Sequence, residues 1–103
     1  VKVERQFAAN LRSCRKRAGL SQVALGFRAS LHRTEIGLLE HGARVPRIDT
    51  LIKLAAALTI PPGDLLEGIG WESGAVGEPI PGRFIETIES GCSRRTLSWL
   101  LTD

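Results

Sequence analysis

Over the first 66 residues, apolar side chains recur at helical spacing in short stretches, and each stretch runs into a residue that stops a helix. Val3, Phe7, Leu11 and Cys14 are separated by four, four and three positions, and Gly19 follows. That spacing puts all four on one face of a first helix, expected from about Val3 to Ala18 with Gly19 as its C-terminal stop. Ser21 is placed to cap a short second helix whose buried face includes Leu25. Ile36 and Leu39 mark a third helix from about His32 to His41, and Gly42 ends it. Ala43 to Arg47, with Pro46 inside, reads as a loop. From Ile48, the stripe Leu51, Leu54, Ala55 and Leu58 predicts a fourth helix ended by Ile60-Pro61-Pro62. Gly63 to Leu66 is suited to one last short helix. A chain cut into pieces this short buries its apolar faces only by packing several of them around one core.

After Glu67 the composition changes. Seven of the eleven Gly and four of the five Pro lie between Pro61 and Gly91. Gly68 to Gly82 therefore reads as irregular chain. Arg83 to Glu89 is rich in β-branched and aromatic residues and fits a strand. Ser93 to Leu101 fits a helix or a second strand, and its pattern does not decide. With 103 residues, one domain of residues 1–67 carrying an extension of residues 68–103 is the economical division.

Charge divides along the same boundary. Residues 1–66 hold eleven Lys and Arg against five acids, and residues 67–103 hold three Arg against six. The formal net charge of +3 thus averages a basic head and an acidic tail. A compact basic head suits a polyanion such as nucleic acid, although a solvated arginine face has the same composition. No apolar run approaches the roughly 20 residues of a membrane span, since Asp49 and Lys53 interrupt Ile48 to Ile60. The opening VKVERQF lacks the apolar core of a secretory signal. Cys14 and Cys92 are unlike a disulfide framework, which suits a reducing, cytoplasmic setting. Neither they nor His32 and His41 have metal-ligand spacing, so no metal and no cofactor is expected. No nucleophile or acid–base constellation stands out, and an enzyme is not expected.

Two helices joined by a three- or four-residue turn, the second closed by Gly42, make the pattern of a helix-turn-helix. Its residues are specific. Asn10-Leu11-Arg12, Arg15, Gly19-Leu20-Ser21-Gln22, Leu25, Thr34-Glu35-Ile36, Leu39-Glu40-His41-Gly42, Pro46, Thr50-Leu51 and Leu54-Ala55 occur in this order. Together they resemble the phage Cro/repressor type of helix-turn-helix domain, the XRE family, over about residues 4–67. The resemblance implies an all-α, five-helix, lambda-repressor-like domain with a short C-terminal extension. It also implies sequence-specific binding of double-stranded DNA, as a transcriptional regulator of the repressor type that acts as a homodimer. Two-fold symmetry would then set the half-sites about one helical turn, roughly 34 Å, apart. The tail around Gly70-Trp71 and Gly82-Arg83-Phe84 resembles a W…GxF extension that packs as a strand or hairpin after some such domains.

In that family the third helix lies in the major groove and its first turn meets base edges. Here that turn is His32-Arg33-Thr34. Arg33 is suited to bidentate contact with guanine, Thr34 to a base, a phosphate or a thymine methyl, and His32 to donation. Leu38, one turn on, either touches a thymine methyl or packs. Gln22 and Ser21 stand at the start of the second helix, where free N–H groups and the helix dipole favour a phosphate. Arg44 and Arg47 flank Pro46 where backbone contacts are expected. Arg12, Lys16 and Arg17 read as mainly solvated. The resemblance also implies that Arg15 and Glu40 form a partly buried structural ion pair, one that fixes helix orientation more than it stabilises.

Three positions depart from the family pattern. Ser30 occupies a turn slot that is often Gly with positive φ, so it is either strained or in a rearranged turn. Gly26 replaces the usual Ala, and Gly37 lies within the recognition helix, each at a cost of roughly 0.5–1 kcal/mol in helix propensity. The competing reading is a protein-interaction module, such as an antitoxin or adaptor, that grips a protein partner through the tail, where Leu97, Trp99, Leu100 and Leu101 are apolar.

Overall fold

The computed structural model describes residues 2–74 and 82–87. Four α-helices come first: α1 (Val3–Arg17), α2 (Gln22–Ala29), α3 (Arg33–Glu40) and α4 (Ile48–Leu58). A 3-10 helix at Pro62–Leu66 follows, then two strands, β1 (Ile69–Ser73) and β2 (Gly82–Glu86). α1 packs on α3 and on the 3-10 helix, while α2 packs on α3 and α4. Phe7, Leu11, Leu25, Ile36, Leu39, Leu54 and Leu65 are fully buried where these elements meet. Each such side chain contributes roughly 1.5–3 kcal/mol by leaving water, and the expected apolar stripes supply nearly all of them.

All four α-helices end by the same hydrogen-bonding device. Gly19 N–H donates to Lys16 O and Leu20 N–H to Arg15 O; Ser30 and Leu31 N–H donate to Phe27 O and Gly26 O. Gly42 and Ala43 repeat the pattern on Leu39 O and Leu38 O, as Thr59 and Ile60 do on Ala56 O and Ala55 O. The motif needs one residue in the left-handed region, which is why Gly stands at 19 and 42. At the other two ends the residues are Ser30, with φ 56°, and Thr59, with φ 57°. Ser30 is therefore held in the strained conformation and the turn keeps its form. Thr59 is the costlier of the two, because a β-branched side chain crowds the backbone there. Replacing exposed Thr59 by Gly removes that crowding, and urea denaturation is expected to show a gain of about 1 kcal/mol.

Two expectations are corrected. The domain is not all-α with five helices, because the fifth helical segment is a 3-10 helix. Five residues are too few to build a run of i→i−4 bonds, and short segments of this length close i→i−3 instead. Its closure rests on Asp64 N–H donating to Pro61 O at 3.0 Å. The stretch after Gly68 is not wholly irregular either. β1 and β2 pair antiparallel, with Ile69 opposite Glu86, Trp71 opposite Phe84 and Ser73 opposite Gly82. Trp71 and Phe84 meet edge to face with ring centroids 4.9 Å apart, a cross-strand contact that favours pairing. The strand expected at Arg83 to Glu89 is present as Gly82–Glu86, and the Trp-bearing segment supplies its partner. Ser93 to Leu101 lies outside the described residues.

The hairpin is tied back to the helices. Asn10 Nδ2 on α1 donates to Leu65 O at 3.0 Å and to Glu67 O at 2.8 Å. Ile69 packs against the edge of the core. A two-stranded hairpin is marginal alone, so this anchorage matters for its formation.

Candidate nucleic-acid interface

The helix-turn-helix unit runs from Gln22 to Glu40, and its outward side is built from the ends of α2 and α3. Ser21 caps α2, its Oγ accepting from Ala24 N–H at 3.0 Å. His32 caps α3 through the ring, with Nδ1 accepting from Thr34 N–H at 3.0 Å. An accepting Nδ1 leaves the ring proton on Nε2, so that edge presents a donor outward. Ile36, Leu39 and Glu40 are buried on the inner face of α3, whereas His32, Arg33, Thr34 and Leu38 are exposed. α3 thus has the division that a helix laid against a ligand requires.

Glu40 is only 3% exposed and is the one buried charged residue among those described. Arg15 on α1 grips it with two bonds, one from Nε to Oε2 and one from Nη2 to Oε1 at 3.0 Å. Gln22 Nε2 also donates to Oε1, at 3.2 Å. Arg15 Nη1 donates in addition to Leu20 O at 2.9 Å, which joins α1 to the start of the turn before α2. Burial alone would push the Glu40 carboxyl up; the Arg15 and Gln22 bonds and the charges of Arg15 and Arg12 outweigh it and hold it below its ordinary value. The bond to Glu40 raises the Arg15 guanidinium in turn, against the opposing effect of burial. Three helices are thereby fastened at one carboxylate, and the pose of α3 is fixed by it.

Two contributors to this arrangement were not legible in advance. Arg12, expected to be solvated, donates from Nη2 to Glu40 O at 2.7 Å. It therefore satisfies a carbonyl at the C-terminal end of α3, where such groups lack helical partners. Its place one turn before Arg15 on α1 is the signal that would have found it. Gln22, assigned to a phosphate, spends one amide N–H on Glu40. Its Oε1 lies 3.9 Å from where a Cβ on Gly37 would stand.

The expected cations differ in how they are engaged. Arg44 pairs with Glu35 on α3, and Arg47 Nε lies 3.4 Å from Asp49 Oδ1. Both arginines are exposed, and exposed pairs contribute little, so either cation can exchange its partner for a phosphate at small cost. Arg33 takes part in none of the ion pairs among the described residues. Arg33 is exposed in the first turn of α3 and is followed by the exposed Thr34. Among the described residues no His, Cys, Asp and Glu cluster has the makings of a metal site, and no helix is long and apolar enough to cross a membrane.

This geometry has close counterparts. The chain is 37% identical over 62 residues to the control protein C.BamHI of Bacillus amyloliquefaciens, a match covering 59% of this chain and 76% of that one. The solved structure of the restriction-modification controller protein C.AhdI from Aeromonas hydrophila is similar at 39% identity and a TM-score of 0.59, covering 60% of this chain and 94% of that one. The P22 c2 repressor protein, solved in complex with a synthetic operator, is similar at 29% identity and a TM-score of 0.56, over 60% of this chain and 94% of that one. All three likenesses leave much of the chain beyond the helical domain unmatched. The family model HTH_3, described as helix-turn-helix, matches residues 11–65, and the chain belongs to that family, the Cro/repressor-type XRE group that its first 67 residues resemble.

Proposed function

We propose that this chain is a sequence-specific, double-stranded-DNA-binding transcriptional regulator that sets α3 into the major groove and acts as a homodimer on two half-sites. The observation that carries the reading is Arg33: an exposed side chain with no acidic partner among the described residues, on the first turn of a helix whose inner face is locked by a buried ion pair. Arg33 reads a guanine through O6 and N7, with Thr34, the Nε2–H edge of His32 and Leu38 reading neighbouring base edges. Arg44, Arg47, the capping Ser21 and the second amide proton of Gln22 hold the phosphates. Residues 1–67 form the DNA-binding unit and residues 68–103 an accessory extension. The likeness to two control proteins and to a repressor supports regulation, of the repressor type, over catalysis. The place of action is the cytoplasm, where a bacterial chromosome lies.

Selection of bound duplexes from a random pool tests this directly. Enrichment of a two-fold-symmetric site is expected, with affinity falling linearly on a log–log plot as salt rises. No duplex retained at low salt would sink the proposal. In Arg33→Ala, the preference at one or two base pairs per half-site should relax, at a cost of about 1–3 kcal/mol. An unchanged selection profile would remove Arg33 from the readout.

A further inference from the structure

Two glycines lie inside the helices of the helix-turn-helix, and the fold explains one of them. Gly26 in α2 faces the backbone of the turn, which leaves no room for a side chain. Gly37, inside α3, has no such neighbour. Among the described residues beyond α3 itself, the one atom within 4 Å of a Cβ there is Gln22 Oε1, at 3.9 Å. That is an ordinary van der Waals contact. The backbone does not require glycine either, since Gly37 is not among the residues with positive φ. Alanine would fit and would favour the helix, because glycine is the poorest helix former after proline. A residue that weakens its helix without serving the interior has its use outside.

The surroundings of Gly37 say what that use is. Arg33 and Thr34 stand one turn before it and His41 one turn after, all three exposed. Gly37 is therefore a dip in the outward surface that these side chains make. On its other side is Gln22, in the first turn of α2, which Ser21 caps. The dip thus lies between the residues that face base edges and the helix start that faces phosphate. When α3 lies in the major groove, the sugar–phosphate backbone of the bordering strand runs along this boundary. A methyl group at position 37 would raise the surface there by about 1.5 Å. Hydrogen bonds of roughly 2.9 Å on one side of the dip or the other would then be out of range.

We infer that the bare backbone at Gly37 is a seat for the sugar–phosphate backbone of the duplex, which lets α3 enter the groove far enough for Arg33 and Thr34 to reach base edges. The inference rests on the DNA-binding reading above and adds to it a residue with no side chain. Helix stability is given up in the free protein in exchange for depth of insertion in the complex.

Gly37→Ala in the full chain tests this with three readouts. The thermal midpoint should rise by roughly 4–8 °C, the shift that the gain in helix propensity predicts for a small domain. Affinity for the duplex selected by the wild type should nevertheless fall by roughly tenfold. The base preferences selected from a random pool should stay those of the wild type, unlike those of Arg33→Ala, because a backbone seat carries no sequence information. Gly37→Leu should bind more weakly still. Leucine is nearly as good a helix former as alanine, so a loss caused by stiffening of α3 would be equal in the two variants. A lowered midpoint in Gly37→Ala would return the residue to the fold and overturn the inference. Unchanged affinity, altered base preferences, or equal losses in the two variants would overturn it while the wild type still binds DNA. A wild type that retains no duplex would remove the regulator reading, and this inference with it.

Discussion

Glu40→Ala is expected to cost about 3–5 kcal/mol, because it leaves the Arg15 guanidinium in a half-dry site without its carboxylate. Small domains are stable by only about 5–15 kcal/mol, so the variant should lose a large share of its stability and its urea midpoint should be strongly reduced. The loss extends beyond one pair, since Gln22 Nε2 and both bonds from Arg15 converge on that carboxylate. The double variant Arg15→Met with Glu40→Leu is the informative control. Replacing both partners by apolar groups removes the desolvation cost together with the attraction and should restore stability to within about 1–2 kcal/mol. DNA affinity should not recover to the same extent, because α3 loses the fastening that sets its pose. A double variant as weak as Glu40→Ala alone would show that the pair itself carries the stability.

The same carboxylate predicts an acid-sensitive fold. Its pKa in the folded chain lies below its ordinary value of 4.5, so the unfolded chain binds the proton more readily than the native one. The stabilisation is therefore complete above pH about 4.5 and is lost as pH falls through the lower folded value. Urea midpoints should decline across that acid range in the wild type. The decline should be shallower in the apolar double variant, where no carboxylate stands at position 40.

How much of this was written in the sequence depends on the range of the interaction. Helix existence followed from local periodicity, and the stops at Gly19 and Gly42 followed from the one residue type that adopts positive φ freely. The 3-10 helix was missed in kind because apolar spacing over five residues cannot tell the two helix types apart. Composition alone missed β1, because Gly68, Gly70 and Gly74 crowd the stretch and outvote Ile69 and Trp71; the likeness of Gly70-Trp71 and Gly82-Arg83-Phe84 to a hairpin-forming extension was the one pointer to it. Only the cross-strand meeting of Trp71 with Phe84, thirteen residues later, makes a strand there. The exposed residues of α3 were legible from helix phase together with the family motif. The second task of Gln22 and the carbonyl bond of Arg12 were not, since each depends on where a distant helix places Glu40.

Gly26→Ala should destabilise the domain by about 1–3 kcal/mol, the ordinary cost of adding a methyl to a packed site, although Ala is the better helix former by about 1 kcal/mol. Sequence reasoning counted Gly26 as a propensity loss, whereas its surroundings make it a spacing requirement. A Cβ at this position would stand 2.7 Å from Leu31 O and 3.5 Å from Arg33 N, both backbone atoms. Neither can swing aside as a side chain would. Leu31 N–H is moreover bonded back to Gly26 O at 2.8 Å, which holds the turn in place against the helix. The added methyl must therefore push the whole turn, and with it His32 and Arg33, away from α2. Duplex affinity should consequently fall by more than the fraction unfolded explains, measured on protein shown to be folded by circular dichroism. Ser30→Gly tests the route of the strain, because it frees the left-handed residue of the same turn. If the turn absorbs the displacement, Ser30→Gly should rescue part of the Gly26→Ala loss, giving a coupling of about 0.5 kcal/mol or more beyond the sum of the single effects. Strict additivity would mean that the displacement is taken up by α2 itself.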